Sequence, residues 1–239
     1  MIIYQGPSEI DGKPIVVIAP IAKSRNSKTG AMLQTYILRA DVDPRDANKS
    51  GQDYSICGNC PHRGTPTDDP DRKLAIKRSC YVNIAQGVLI VYKQFAAGKY
   101  QTATDIAAVG RDRMVRLGTY GDPAAVPSYV WDELLQDCKG HTAYSHQSGM
   151  TGADFRPDLF MTSADSLKEA QQAWADNRRT FRVVSDVTDV SPLEILCPAS
   201  EEAGRRTQCH TCGLCAGSAI KAKSIAIVAH GAGRNNFTG

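Results

Sequence analysis

Apolar residues in the first forty positions fall into two runs, "IVVIAP" at 15–20 and "MLQTYILRA" at 32–40, separated by the polar "KSRNSKTG" at 23–30. Short apolar runs bounded by polar, turn-forming residues predict strands, and their spacing predicts an N-terminal β-hairpin with a solvated tip. "SKTG" hints at phosphate binding, but the spaced glycine and the Gly-Lys-Thr of a P-loop are missing. Residues 41–73 are polar and rich in Pro, Gly and Asp. A loop that long within a compact chain is usually functional or clamped by a metal.

Beyond residue 80 the pattern alternates. "QGVLIVYKQFAAG" (86–98) predicts a helix ending at Gly98, and "MVRLGTYGDP" (114–123) a strand with a glycine-rich exit. "SYVWDELLQDCKG" (128–140) predicts a helix stopped by Gly140, with Val130, Trp131, Leu134, Leu135 and Cys138 on its apolar stripe. "HTAYSH" (141–146) and "DLFMTSAD" (158–165) read as short strands. "SLKEAQQAWADN" (166–177) reads as a helix with Ser166 and Glu169 spaced as a capping box. "TFRVVSDV", "LEILCPAS" and "SIAIVAH" are further strands. Repeated strand–helix–strand units predict an α/β fold with a parallel sheet, a full or partial (β/α) barrel. The expected organisation is one domain over 1–239, with a hairpin region at 1–50, a barrel core at 57–190, and a cysteine-rich segment plus last strand at 191–239.

Composition changes this picture little. The chain has 239 residues, 42% of them hydrophobic, which suits one large core. A formal net charge of +3 permits a nucleic-acid partner without arguing for one. The start, "MIIYQGPSEIDGK", has no basic region followed by an apolar one, and "IVVIAPIA" is too short to span a bilayer. The expectation is a cytoplasmic protein without a membrane partner, in which thiols stay reduced and clustered cysteines favour metal over disulfides.

The cysteines carry the candidate chemistry. Cys138 belongs to the core; the other seven divide into Cys57, Cys60 and Cys80 around the polar loop, and Cys197, Cys209, Cys212 and Cys215 in "CPAS…CHTCGLC". Four thiolates saturate a tetrahedral zinc or a cluster and make a closed site. Three leave a coordination position open for substrate or cosubstrate, the pattern of a catalytic metal. Two structural zinc sites are the alternative, with His62 as fourth ligand of the first. The strand exit Gly118, Gly121, Asp122, Pro123 offers close backbone approach and a carboxylate where (β/α) folds collect their chemistry. His146 ends another strand and faces the same end; His141 reads as structural, and His230 suits a site or a tail.

The cysteine group followed by "CYVN", then a strand ending in "GDP", resembles the radical S-adenosylmethionine enzymes. That resemblance implies a [4Fe–4S] cluster on Cys57, Cys60 and Cys80 with one open iron and Tyr81 beside it. It implies Gly118, Gly121 and Asp122 at the amino group of the small-molecule cosubstrate S-adenosylmethionine, and an auxiliary cluster on the C-terminal four cysteines. Cys80 stands twenty residues beyond Cys60 rather than in tight succession, and the acidic residue is Asp where Glu is common. The pattern "CGNCPHRG…CYVN…GDPAAVP…CPAS" also looks like an uncharacterised phage and prophage family, which implies a nucleic-acid or nucleotide substrate.

Two further classes fit parts of the sequence. A barrel transglycosylase exchanging a base in nucleic acid would use Cys209, Cys212, Cys215 and His230 for zinc, with Asp122 and Asp165 as carboxylates; Asp165 also stands where a helix N-cap belongs. A non-enzymatic, zinc-stabilised nucleic-acid binder would use "GRDRMVR" and "NRRTFR" as phosphate contacts. Nucleophile-elbow, H-E-x-x-H and deaminase signatures are missing.

Overall fold

The computed structural model describes residues 1–22 and 26–238. Strand β1 (Ile2–Pro7) pairs antiparallel with β2 (Pro14–Ile18), which pairs antiparallel with β3 (Leu33–Arg39). The expected hairpin of β2 and β3 is present, and β1 is an additional strand. Lys23, Ser24 and Arg25 of the polar loop lie outside the described residues. The rest of that loop is no solvated tip: Thr29 is buried, and the carbonyls of Lys28 and Thr29 accept the N–H groups of Cys209 and His210.

The 41–73 stretch carries two short helices, α1 (Pro44–Ser50) and α2 (Tyr54–Cys57). Asp43 caps α1 through the Arg45 N–H, Pro44 occupies its first turn, and Gly51 closes it in the left-handed region. After an irregular turn comes α3 (Leu89–Ala96), then α4 (Ile106–Gly110), β4 (Met114–Tyr120) and α5 (Ser128–Leu135). Helix α5 buries Val130, Trp131 and Leu134, as its periodicity predicts. It ends at Leu135, so Cys138 lies past its end, half-buried against the main core rather than on the helical stripe.

The remaining elements are β5 (Gly140–Thr142), β6 (Tyr144–Ser145), β7 (Met161–Ala164), α6 (Leu167–Ala175), β8 (Thr180–Val184), β9 (Glu194–Leu196), α7 (Cys209–Cys212) and β10 (Ser224–Val228). They complete a mixed α/β structure with two five-stranded sheets, β1-β2-β3-β4-β5 and β6-β7-β8-β10-β9. All pairings from β3 onward are parallel. Residues 140–145 serve both sheets: β5 pairs with β4, β6 pairs with β7, and the Ala143 carbonyl between them accepts the Met161 N–H. The sheets end at β1 and β9, and no closed barrel forms among the described residues.

Two apolar clusters underlie the sheets. The larger one packs β1 to β4 against α3 and α5 around Leu33, Leu117, Trp131 and Phe160. The smaller one contains Met32, Met161, Ile225 and Ile227 together with Cys197, Cys209 and Cys215. Three of the four C-terminal cysteines are thus part of a core.

Candidate functional site

In parallel sheets the strands deliver their C-terminal residues to one edge, and the first cysteine group gathers there. Cys57 ends α2, after β3. The loop after β4 reaches it through the Asp122 N–H, which donates to Ile56 O at 2.6 Å. The loop after β6 reaches it through Gln147, whose Nε2 donates to Cys57 O at 2.9 Å and whose Oε1 accepts the Asn59 N–H. Cys60 opens the turn holding His62, and the Cys80 N–H donates to His62 O at 3.0 Å. Burial pushes the Cys57 thiol well above its ordinary range, and Asp53, Cys60 and Cys80 add to the rise. Burial also raises Cys80, opposed by Arg78 and reinforced by Cys60. Each thiol of this group therefore senses another.

His146 and Asp165 complete this edge. Burial alone would lower His146, but the nearby Cys60 and hydrogen bonds to Asp165 and Cys60 hold it well above the usual imidazole range. Asp165 lies below the carboxylate range although burial opposes it, because His146 bonds to it and the His62 ring stands 3.1 Å from the same oxygen. It is not the cap of α6. Ser166 is, accepting the Glu169 N–H, which leaves the Asp165 carboxylate to the histidines. His141 lies elsewhere, bonded to Leu159 O.

Asp122 is 7% exposed and its carboxylate is occupied. Oδ1 accepts the Ala124 N–H at 3.0 Å; Oδ2 accepts the His146 N–H at 2.8 Å and Gln147 Nε2 at 3.0 Å. Burial raises its pKa and these bonds oppose the rise. The glycines beside it have structural causes. Gly118 (φ 65°) and Gly121 (φ 85°) occupy the left-handed region, and a Cβ on Gly121 would stand 2.6 Å from Ile37 Cβ.

Cys197, Cys209, Cys212 and Cys215 form the second group. Burial raises Cys197, Cys209 and Cys215, the last to about 12, and their neighbours within the group contribute. Arg179 anchors the loop that carries them, donating to the carbonyls of Leu214, Gly217, Ala222 and Lys223. Arg182 pairs with buried Glu194 at 2.6 Å. Both belong to "NRRTFR", so two arginines of that cluster are internal supports rather than phosphate contacts. His230 turns to Lys28, with Nε2 and Nζ 3.1 Å apart, and stacks on Tyr81.

Arg116, from "GRDRMVR", lies between the groups. It is 7% exposed, donates to Tyr81 Oη at 2.5 Å, and lies over the rings of Tyr81 and Tyr144. Tyr144 in turn hydrogen-bonds the Cys215 thiol. Among the described residues no carboxylate pairs with Arg116, and its Nε is buried without a partner. Burial opposes its charge, but Tyr81, Tyr144, Cys209 and Cys215 outweigh burial and hold its pKa above the ordinary guanidinium value. Lys28, four residues before the buried Met32, faces Cys197 and Cys209.

Among the described residues neither cysteine group brings three thiols within 4.8 Å of one another; the group that meets that limit is His62, His146 and Asp165. No helix is long and apolar enough to cross a membrane. No protein-family model matches the chain, and no curated protein or solved structure does either.

Proposed function

We propose that the protein is an iron–sulfur enzyme of radical S-adenosylmethionine type acting on a nucleotide or nucleic acid. The observation that carries this reading is the convergence of Cys57, Cys60 and Cys80 at the C-terminal edge of parallel strands, beside the Gly118–Asp122 strand exit. In chain order, β3 leads to the cysteine loop, then α3, then β4 with that exit. The strands β3, β4, β5/β6, β7, β8 and β10 then follow one another as parallel neighbours, which reads as an open partial barrel. The nucleic-acid context rests on the sequence resemblance alone.

The residues fit thiolate-bound clusters in two respects. A single tetrahedral zinc with sulfur ligands at about 2.3 Å would draw its thiolates to within roughly 4 Å of one another, and among the described residues neither group brings three thiols within 4.8 Å. A cluster spreads its cysteines wider. Among the described residues Arg116 is a buried cation without a carboxylate pair, and a buried charge needs a counter-charge. Four metal-bound thiolates at the second group supply one.

Cys57, Cys60 and Cys80 would hold the open cluster, which when bound supplies one-electron chemistry to a coordinated cosubstrate. The rest is done by the chain. Asp122 positions His146 and Gln147 by accepting their N–H groups. His146 and Asp165 stand ready to hold or move a proton at the edge where substrate would enter. The loop around Gly231 and Gly233 packs onto Tyr81, Ser79 and Cys80 and covers the site from the side. The test is anaerobic incubation of the reconstituted protein with S-adenosylmethionine and dithionite. Release of methionine and 5′-deoxyadenosine, lost in Cys57→Ala, supports the reading. No cleavage and no binding of S-adenosylmethionine to a cluster-loaded protein would refute it.

A further inference from the structure

His62, His146 and Asp165 come from three distant parts of the chain: the turn after Cys60, the exit of β6 and the exit of β7. Their donor atoms lie within 4.8 Å of one another. His62 Nε2 is 3.1 Å and His146 Nε2 3.3 Å from the same oxygen, Asp165 Oδ1. The His62 contact is close without being a well-aligned hydrogen bond: Nε2 is buried and, among the described residues, has no partner of acceptable geometry. A nitrogen aimed between a carboxylate and a second imidazole, bonded to neither, is placed as a ligand atom would be.

Each of the three is also fixed from behind, as metal ligands usually are. The other His62 nitrogen, Nδ1, is 2.8 Å from Ser79 Oγ, and its ring stacks on Phe237 at 5.9 Å. The His146 backbone is held by Asp122, and the Asp165 N–H donates to Glu169 Oε2 at 2.7 Å. All three side chains remain partly open to solvent, so an ion could reach them.

We propose that His62, His146 and Asp165 form a mononuclear site for a divalent first-row metal, distinct from both cysteine groups. Two imidazoles and one carboxylate suit Fe²⁺, Co²⁺, Mn²⁺ or Zn²⁺ and leave coordination positions open to water or substrate. The site shares a wall with the first cysteine group through the His146–Cys60 hydrogen bond. It stands whether or not that group carries a cluster.

The probe is Mn²⁺, which favours nitrogen and oxygen donors over thiolates. It is added to the full-length protein after cluster reconstitution and followed by the loss of the free-ion paramagnetic resonance signal. The expected result is one bound Mn²⁺ per chain, with couplings to two imidazole nitrogens. His62→Gln and Asp165→Asn should each weaken binding about tenfold or more, while iron and sulfide content stay unchanged and His141→Gln binds as the wild type does. Nitrogen couplings in the wild type decide the matter even if a variant fails to fold. Absence of Mn²⁺ and Co²⁺ binding at millimolar concentration would overturn the proposal, as would binding indifferent to these substitutions. Iron and sulfide are measured on the same samples, so loss of this site and failure of the cluster reading are separate outcomes.

Discussion

Arg116 donates to the Tyr81 hydroxyl at 2.5 Å, so a buried guanidinium touches the residue that follows Cys80. On its other side it faces Cys209 and Cys215. One cation therefore lies between the two cysteine groups, and its stability depends on their charge. Arg116→Gln should lower the melting temperature of the metal-loaded protein more than that of the chelated protein. A charge-assisted contact worth about 2 kcal/mol corresponds to a difference of roughly 4–8 °C in a chain of this size. Differential scanning calorimetry of both forms checks it.

Asp122 should act as a positioning residue. In Asp122→Asn the amide NH₂ would face N–H donors at Ala124, His146 or Gln147, a loss on the order of 1–3 kcal/mol. Urea denaturation should show the loss, and the variant should hold less metal at the first cysteine group because the Gln147 clamp on Cys57 loosens. Full stability with weakened S-adenosylmethionine binding would instead assign Asp122 to the cosubstrate.

The two cysteine groups should fail differently. Cys209 and Cys215 lie in the smaller core, so Cys215→Ala removes a core side chain and, on the proposed function, a metal ligand together. It should abolish soluble expression or lower the melting temperature sharply. Cys60→Ala, at a partly exposed position, should leave folding nearly intact and abolish activity. Circular dichroism melts of both variants distinguish these outcomes.

Gly233 is a narrower test of how the first site is covered. Its φ is ordinary, but an added Cβ would stand 2.4 Å from the Ser79 carbonyl carbon. Gly233→Ala should push the C-terminal segment off the Cys80 loop and break the Asn236 bond to Arg78 O. Faster loss of metal from the first group, at unchanged content of the second, is the expected readout.

Much of the fold was legible because its signals are local. Helices α5 and α6 and strands β4, β8 and β10 announce themselves by period and by caps such as Ser166. Helix α1 was missed because "PRDANKS" has no apolar stripe, although Asp43 and Pro44 carried a start signal. Strand β1 was missed because "IIYQGP" is short and ends in Gly-Pro. Thiols within each cysteine set sense one another electrostatically, although among the described residues neither set brings three within 4.8 Å. The site was harder to read. Asp165 and Ser166 both suit the cap of α6 by type, and nothing along the chain ties His62 to residues 146 and 165. Arg116 reads as part of a surface cluster, since one-residue spacing does not reveal which face of β4 is interior.

The central claim is best tested by iron, acid-labile sulfide and zinc analysis of protein purified and reconstituted without oxygen. The account predicts a brown protein with matched iron and sulfide, of which the Cys57, Cys60, Cys80 triple alanine variant retains only the share held by the second group. A colourless protein that carries stoichiometric zinc and takes up no iron or sulfide would contradict it.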